Sequence, residues 1–131
     1  MISVLLIDDE PALLEIGKLF LERPGDLAVT TAGSAQEAAA MIEENQFDAI
    51  VTDYAMPDVE GAELIRKIRI LCADTPVIVL SGQPRDKIAG DCLCAGADAV
   101  LQKGGDPVAK YGDLHRMIAG NVRCRSDAFQ E

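Results

Sequence analysis

The chain has 131 residues, 49% hydrophobic and 26% charged, with 12 basic side chains against 22 acidic ones and a formal net charge of −10. Those totals suit one folded domain with a real core and exclude a disordered chain. The acidic balance disfavours nucleic acid, whose binding rests on neutralising phosphates with Lys and Arg, and leaves any anionic ligand to be held by a cation or a particular lysine.

The N-terminal "MISVLLIDDE" is a short apolar run without a basic flank that ends in three acids. It reads as neither signal peptide nor membrane span, so no membrane insertion and a cytoplasmic location are expected. Within it "SVLLID" has strand length, and "PALLEIGKLFLE" then places Leu13, Ile16, Gly17 and Phe20 on one helical face. "LAVTTA" alternates apolar with small or polar residues, as a half-exposed edge strand does. Ser34 opens a second helix with Glu37 completing a capping box, and Ala38, Met41 and Ile42 form its inner stripe.

"FDAIVTD" is the third strand; after a turn, "GAELIRKIRIL" sets Gly61, Leu64, Ile65, Ile68 and Leu71 at helical spacing. "PVIVLSG" is nearly continuous apolar, the composition of a strand covered on both faces. "RDKIAGDCLCAGA" is a weaker helix, because Gly90 costs about 1 kcal/mol relative to Ala. "DAVLQK" and "DPVAKYGDLHRMIAGNV" supply a fifth strand and a fifth helix. From Arg123 no period is visible, which predicts a domain over residues 1–122 and a frayed tail over 123–131.

Four cysteines, Cys72, Cys92, Cys94 and Cys124, fit no zinc spacing and read as reduced and structural, with the two thiols of "CLC" on different sides of a helix. His115, the only histidine, falls on the fifth helix and reads as a surface or packing residue. Strict alternation of five strands and five helices predicts an α/β fold: a five-stranded parallel sheet, (βα)5, doubly wound and flavodoxin-like, in the order 2-1-3-4-5.

In such a sheet ligands bind beyond the carboxyl ends of the strands, where the strand order reverses. Strand one ends in Asp8 and Asp9, strand three in Asp53, strand four in Ser81 and strand five in Lys103. Strands one and three are neighbours roughly 4.8 Å apart, so three carboxylates crowd one spot. They repel one another unless a cation joins them, and an oxygen-only ligand set favours Mg²⁺. Lys103, two strands from Asp53, is about 10 Å away, a gap that a lysine stem largely crosses. A divalent ion, an ammonium, the Ser81 hydroxyl and a nucleophilic Asp53 together make a site for a phosphoryl group. Taken singly each has a commonplace reading: acids that cap a helix, an aspartate that ends a strand in a turn, a loop serine, a solvated lysine. Their joint placement at the strand ends of one sheet argues for the chemistry.

The stretches "LLIDDE", "VTDYAMPDVEG", "VIVLSG" and "VLQK" resemble the receiver domains of two-component response regulators over about residues 3 to 120. The resemblance implies that Asp53 is the phosphoacceptor, taking its phosphoryl group from a phosphohistidine of a sensor histidine kinase or phosphotransfer protein. It implies that Asp8 and Asp9, with Asp53 and the backbone carbonyl of Ala55, hold Mg²⁺, and that Ser81 and Lys103 engage the phosphoryl group. It further implies a switch, not an enzyme, that signals through a downstream protein partner.

The chain departs from the family in two places: Val100 stands where an aromatic switch residue is usual, and Gly104-Gly105 follow Lys103 in place of proline. Ala55 is small and leaves the site open to water, while Gln83 is either a hydrogen-bonding neighbour of the attack path or a loop residue. A stand-alone receiver is expected from the length. Two other readings stay open: a receiver-like interaction module that is never phosphorylated, and a small aspartyl-phosphate phosphatase of the haloacid dehalogenase type. The latter chemistry places its nucleophile at the end of strand one in an Asp-x-Asp pattern, where this chain has adjacent Asp8-Asp9.

Overall fold

The computed structural model describes residues 1–56, 59–72, 74–82, 85–102 and 106–129. Its elements, in chain order, are β1 (Ile2–Ile7), α1 (Pro11–Glu22), β2 (Leu27–Ala32), α2 (Ala35–Glu44), β3 (Ala49–Asp53), α3 (Gly61–Leu71), β4 (Val77–Ser81), α4 (Arg85–Ala95), β5 (Ala99–Gln102) and α5 (Pro107–Phe129). The five strands form one parallel sheet in the order β2-β1-β3-β4-β5, as the alternation predicts, with β2 at an edge. A two-residue antiparallel pair, Ala55–Met56 with Val59–Glu60, lies between β3 and α3, where the sequence suggests only a turn.

Successive strand residues point to opposite faces, and both faces are covered. Val4, Leu6, Val51, Ile78 and Leu80 pack under α1 and α5 with Leu14, Leu21, Leu114 and Ile118. Leu5, Ile7, Ile50 and Val77 pack on the other face with Ala38, Ile42, Leu64 and Ile68. A third cluster joins Val79 and Val100 to Ala62 and Ile65 of α3 and to Ile88, Cys92 and Ala95 of α4. Each large aliphatic side chain buried this way contributes about 1.5–3 kcal/mol.

α1 corrects the expected stripe: Leu14, Gly17 and Leu21 are buried, whereas Ile16 is 41% exposed. Six large apolar residues in twelve leave two possible stripes, and packing against Tyr111 of α5 selects the one containing Gly17 and Leu14. Ser34 caps α2 by accepting from the Glu37 amide at 3.1 Å, but Glu37 reaches back to the Gly33 amide (3.4 Å), one residue before the usual capping-box partner. α4 ends in a Schellman motif: Gly96, at φ +118°, donates to the Leu93 carbonyl and Ala97 donates to that of Cys92. α5 continues to Phe129, past Arg123, where fraying is expected. Residues 123–129 contain no Gly or Pro, so the helix propagates without an apolar stripe to mark it. Among the described residues no helix is long and apolar enough to cross a membrane.

Candidate functional site

β1 and β3 are adjacent, with Ile7 in register with Thr52. The residues that follow this pair, Asp8 and Asp53, therefore emerge side by side at the carboxyl end of the sheet. Asp8 prolongs the β1–β2 ladder by one bond, its amide donating to the Ala32 carbonyl at 3.1 Å. Its carboxylate accepts from the Glu10 amide at 3.0 Å. That bond is a local turn onto the amide of Glu10 and not a helix cap, and Glu10, the capping position of α1, makes no side-chain cap bond. Asp53 closes β3, and the next amide, that of Tyr54, donates to the Leu80 carbonyl at 2.8 Å.

One carboxylate oxygen each from Asp8, Asp9 and Asp53 lies within 4.8 Å of the others. Asp8 and Asp53 are each only 6% exposed; Asp9 is open to solvent. Three formal negative charges at that separation, two of them in a low-dielectric setting, favour an incoming cation. Oxygen-only donors with an exposed member that leaves room for water fit Mg²⁺ better than zinc or copper.

Ser81 ends β4, buried at 3% exposure, one register step past Leu80, the partner of Asp53. Ala55 belongs to the short antiparallel pair, in register with Glu60. Lys103, which follows the last residue of β5, lies outside the described residues, as do Gln83, Gly104 and Gly105. Val100 is 2% exposed, in register with Val79 at the centre of the third cluster.

Tyr54 carries no mark in the sequence pattern. Its ring packs against that third cluster and lies over Gly61, where an added Cβ would come 2.6 Å from the Tyr54 Cδ1 and 2.5 Å from its carbonyl oxygen. The available signal was a glycine opening α3, a position that helix propensity alone does not favour. Among the described side chains, Cys92 is buried, Cys94 exposed and Cys72 intermediate, all free thiols as expected. Burial, with the nearby Asp91 carboxylate, pushes the Cys92 thiol up, which keeps it protonated and unreactive. A cleft of about 640 Å³ lies at the opposite end of the sheet, between Glu43, Phe47, Asp48, Ile50, Leu71 and Asp74, away from Asp8, Asp9 and Asp53.

These features define a doubly wound α/β protein with a cluster of carboxylates at its switch point. The chain belongs to the response regulator receiver domain family, which it matches over residues 4–111, and is a receiver of the two-component signalling type. A receiver domain protein (CheY-like) from Methanospirillum hungatei JF-1 superposes with a TM-score of 0.87 at 30% identity, covering 98% of each chain. Response regulator TrrA of Thermotoga maritima, solved in complex with Mg²⁺ and BeF, superposes with a TM-score of 0.80 at 25% identity over 92% of this chain and 99% of that one. Response regulator Rre1 of Synechocystis sp. is 36% identical over 134 residues, spanning 99% of this chain. The chain spans about half the length of the curated relatives it matches, 57% in the case of Rre1.

Proposed function

We propose that Asp53 is the phosphoacceptor of this receiver and that the phosphoryl donor is a phosphohistidine on a sensor kinase or phosphotransfer protein. The observation that carries the reading is the convergence of Asp8, Asp9 and Asp53 within 4.8 Å at the strand ends. β3 fixes Asp53 at the switch point, so its carboxylate is held in place before a donor arrives, and little ordering remains to be done at the moment of reaction.

A carboxylate oxygen of Asp53 attacks phosphorus; the P–O bond forms as the donor's N–P bond breaks, and the electron pair returns to the imidazole nitrogen. Asp8, Asp9, Asp53 and the Ala55 carbonyl are the groups that would hold Mg²⁺, which supplies charge neutralisation to the phosphoryl oxygens. Ser81 donates a hydrogen bond to the transferred group, and Lys103 pairs with it through its ammonium. Water later cleaves the acyl phosphate, releasing inorganic phosphate and restoring Asp53. The signal passes to a downstream protein through the altered surface, which makes the domain a switch and not an enzyme.

Intact-mass measurement after incubation with acetyl phosphate tests the reading. The expected result is one labile phosphoryl adduct that requires Mg²⁺ and is absent from Asp53→Asn. Absence of an adduct from the unaltered chain would overturn phosphorylation and favour an interaction module; rapid turnover of many phosphate esters would point to a phosphatase.

A further inference from the structure

Tyr54 occupies the junction between the acidic site and the α3–α4 side of the sheet. It follows Asp53 directly, and its amide is bonded to the carbonyl of Leu80, the residue before Ser81. The backbone at Tyr54 is therefore tied to two of the strand ends that converge on the site. Its ring leaves that site and packs against the cluster of Ala62, Ile65, Val79, Ile88, Cys92 and Val100.

Among the described residues it is the one aromatic ring packed on that cluster, whose members are otherwise small or aliphatic. Gly61 gives the ring its seat: an added Cβ there would stand 2.6 Å from Cδ1 and 2.9 Å from Cε1 of Tyr54. Tyr54 is half-buried, and on its buried side the ring cannot shift inward without repacking the cluster, because protein interiors have few voids to absorb the change. The cluster it packs on extends to Ile88 and Cys92 of α4 and Val100 of β5.

We propose that Tyr54 is a positioning residue that couples the phosphoryl state of Asp53 to α4 and β5. The inference rests on the receiver reading but concerns a separate step: Asp53 carries the chemistry, and Tyr54 carries its consequence to the helix surface. Removing the ring should leave uptake of the phosphoryl group intact and uncouple it from the distant response.

The test combines mass measurement with amide NMR on the whole chain, using acetyl phosphate and Mg²⁺ as the probe. In the unaltered protein, phosphorylation should move the amides of Ile88, Cys92 and Val100. In Tyr54→Ala the uptake rate should stay within about twofold, while those displacements fall about threefold or more. Tyr54→Phe, which keeps the ring, should behave as the parent does. Displacements of parental size in Tyr54→Ala would overturn the proposal, and so would failure of that variant to take up the group, since it would place the ring in the chemistry itself.

Gly61→Ala supplies an arm that needs no phosphodonor, because the new Cβ must displace the ring or the Tyr54 carbonyl. It should move the same three amides in untreated protein. Unmoved amides in a folded Gly61→Ala would overturn the coupling whatever Asp53 does. Lack of uptake by the unaltered chain would instead overturn the receiver reading, with the Gly61→Ala result still deciding the mechanical link.

Discussion

Asp98 and Asp53 stand at opposite ends of one sheet, and their surroundings differ in kind. At the end where β4 and β5 begin, the Asp98 carboxylate accepts from the Val77 amide at 2.8 Å and pairs with Arg69 of α3. Arg69 also donates to the carbonyls of Gly96 (2.7 Å) and Thr75. One guanidinium thus fastens α3 to the turns that precede both strands. At the other end Asp53 gathers with two further carboxylates. The same residue type is neutralised where the fold brings it a cation, and stands ready to receive one where the fold brings it more acid.

Arg69→Met is the sharpest way to break the structural end. It removes at least three donated bonds and leaves Asp98 half-buried beside its charge-less neighbour, so unfolding free energy should fall by about 2–3 kcal/mol, discounted from a fully buried pair because both side chains keep some solvent contact. Denaturant unfolding measures the loss. Mg²⁺ affinity at the acidic end should change less than twofold if the two ends are independent; a parallel loss of both would abolish the distinction.

At the acidic end the sign reverses. Asp53→Asn removes one of three clustered charges, so in metal-free buffer it should stabilise the fold by about 1 kcal/mol. The unaltered protein should gain stability on adding Mg²⁺, because a ligand that binds only the folded state shifts the equilibrium by mass action. That gain should largely disappear in Asp53→Asn. Thermal unfolding with and without Mg²⁺ gives all four values; a variant less stable than its parent in metal-free buffer would mean that the cluster is internally compensated.

The fold and the acidic end were legible because both depend on short-range, repetitive signals. The central strands announce themselves by apolar runs, and those of β1 and β3 stop at the aspartates that converge. The structural end was not legible, since Arg69, Gly96 and Asp98 carry no pattern: the clamp exists only when α3 and the α4–β5 turn meet in space. α1 was misphased for a related reason, as six large apolar residues fit more than one stripe until α5 chooses between them. Tyr54 is illegible in the same way, because a tyrosine beside a strand-end aspartate gives no hint of which cluster its ring will join.

Asp26 is an intermediate case and should give the smallest effect. It sits just before β2, and its carboxylate lies 2.8 Å from Nε2 of His115 on α5, so the lone histidine fastens a helix to a turn. That hydrogen bond holds the Asp26 carboxyl below its ordinary 3.8, against an opposing push from burial. A carboxyl whose pKa is lowered by folding stabilises the fold while ionised. The contribution should therefore be present above about pH 4 and fade as acid carries Asp26 through its lowered value. With the Asp26 side chain 51% exposed, solvent screening keeps the pair under about 0.5 kcal/mol. His115→Ala should accordingly cost little at pH 6, and the difference from the parent should shrink toward zero by about pH 2, read from denaturant midpoints across that range. A difference that grew on acidification would show His115 acting through something other than Asp26, and would remove this aspartate from the comparison.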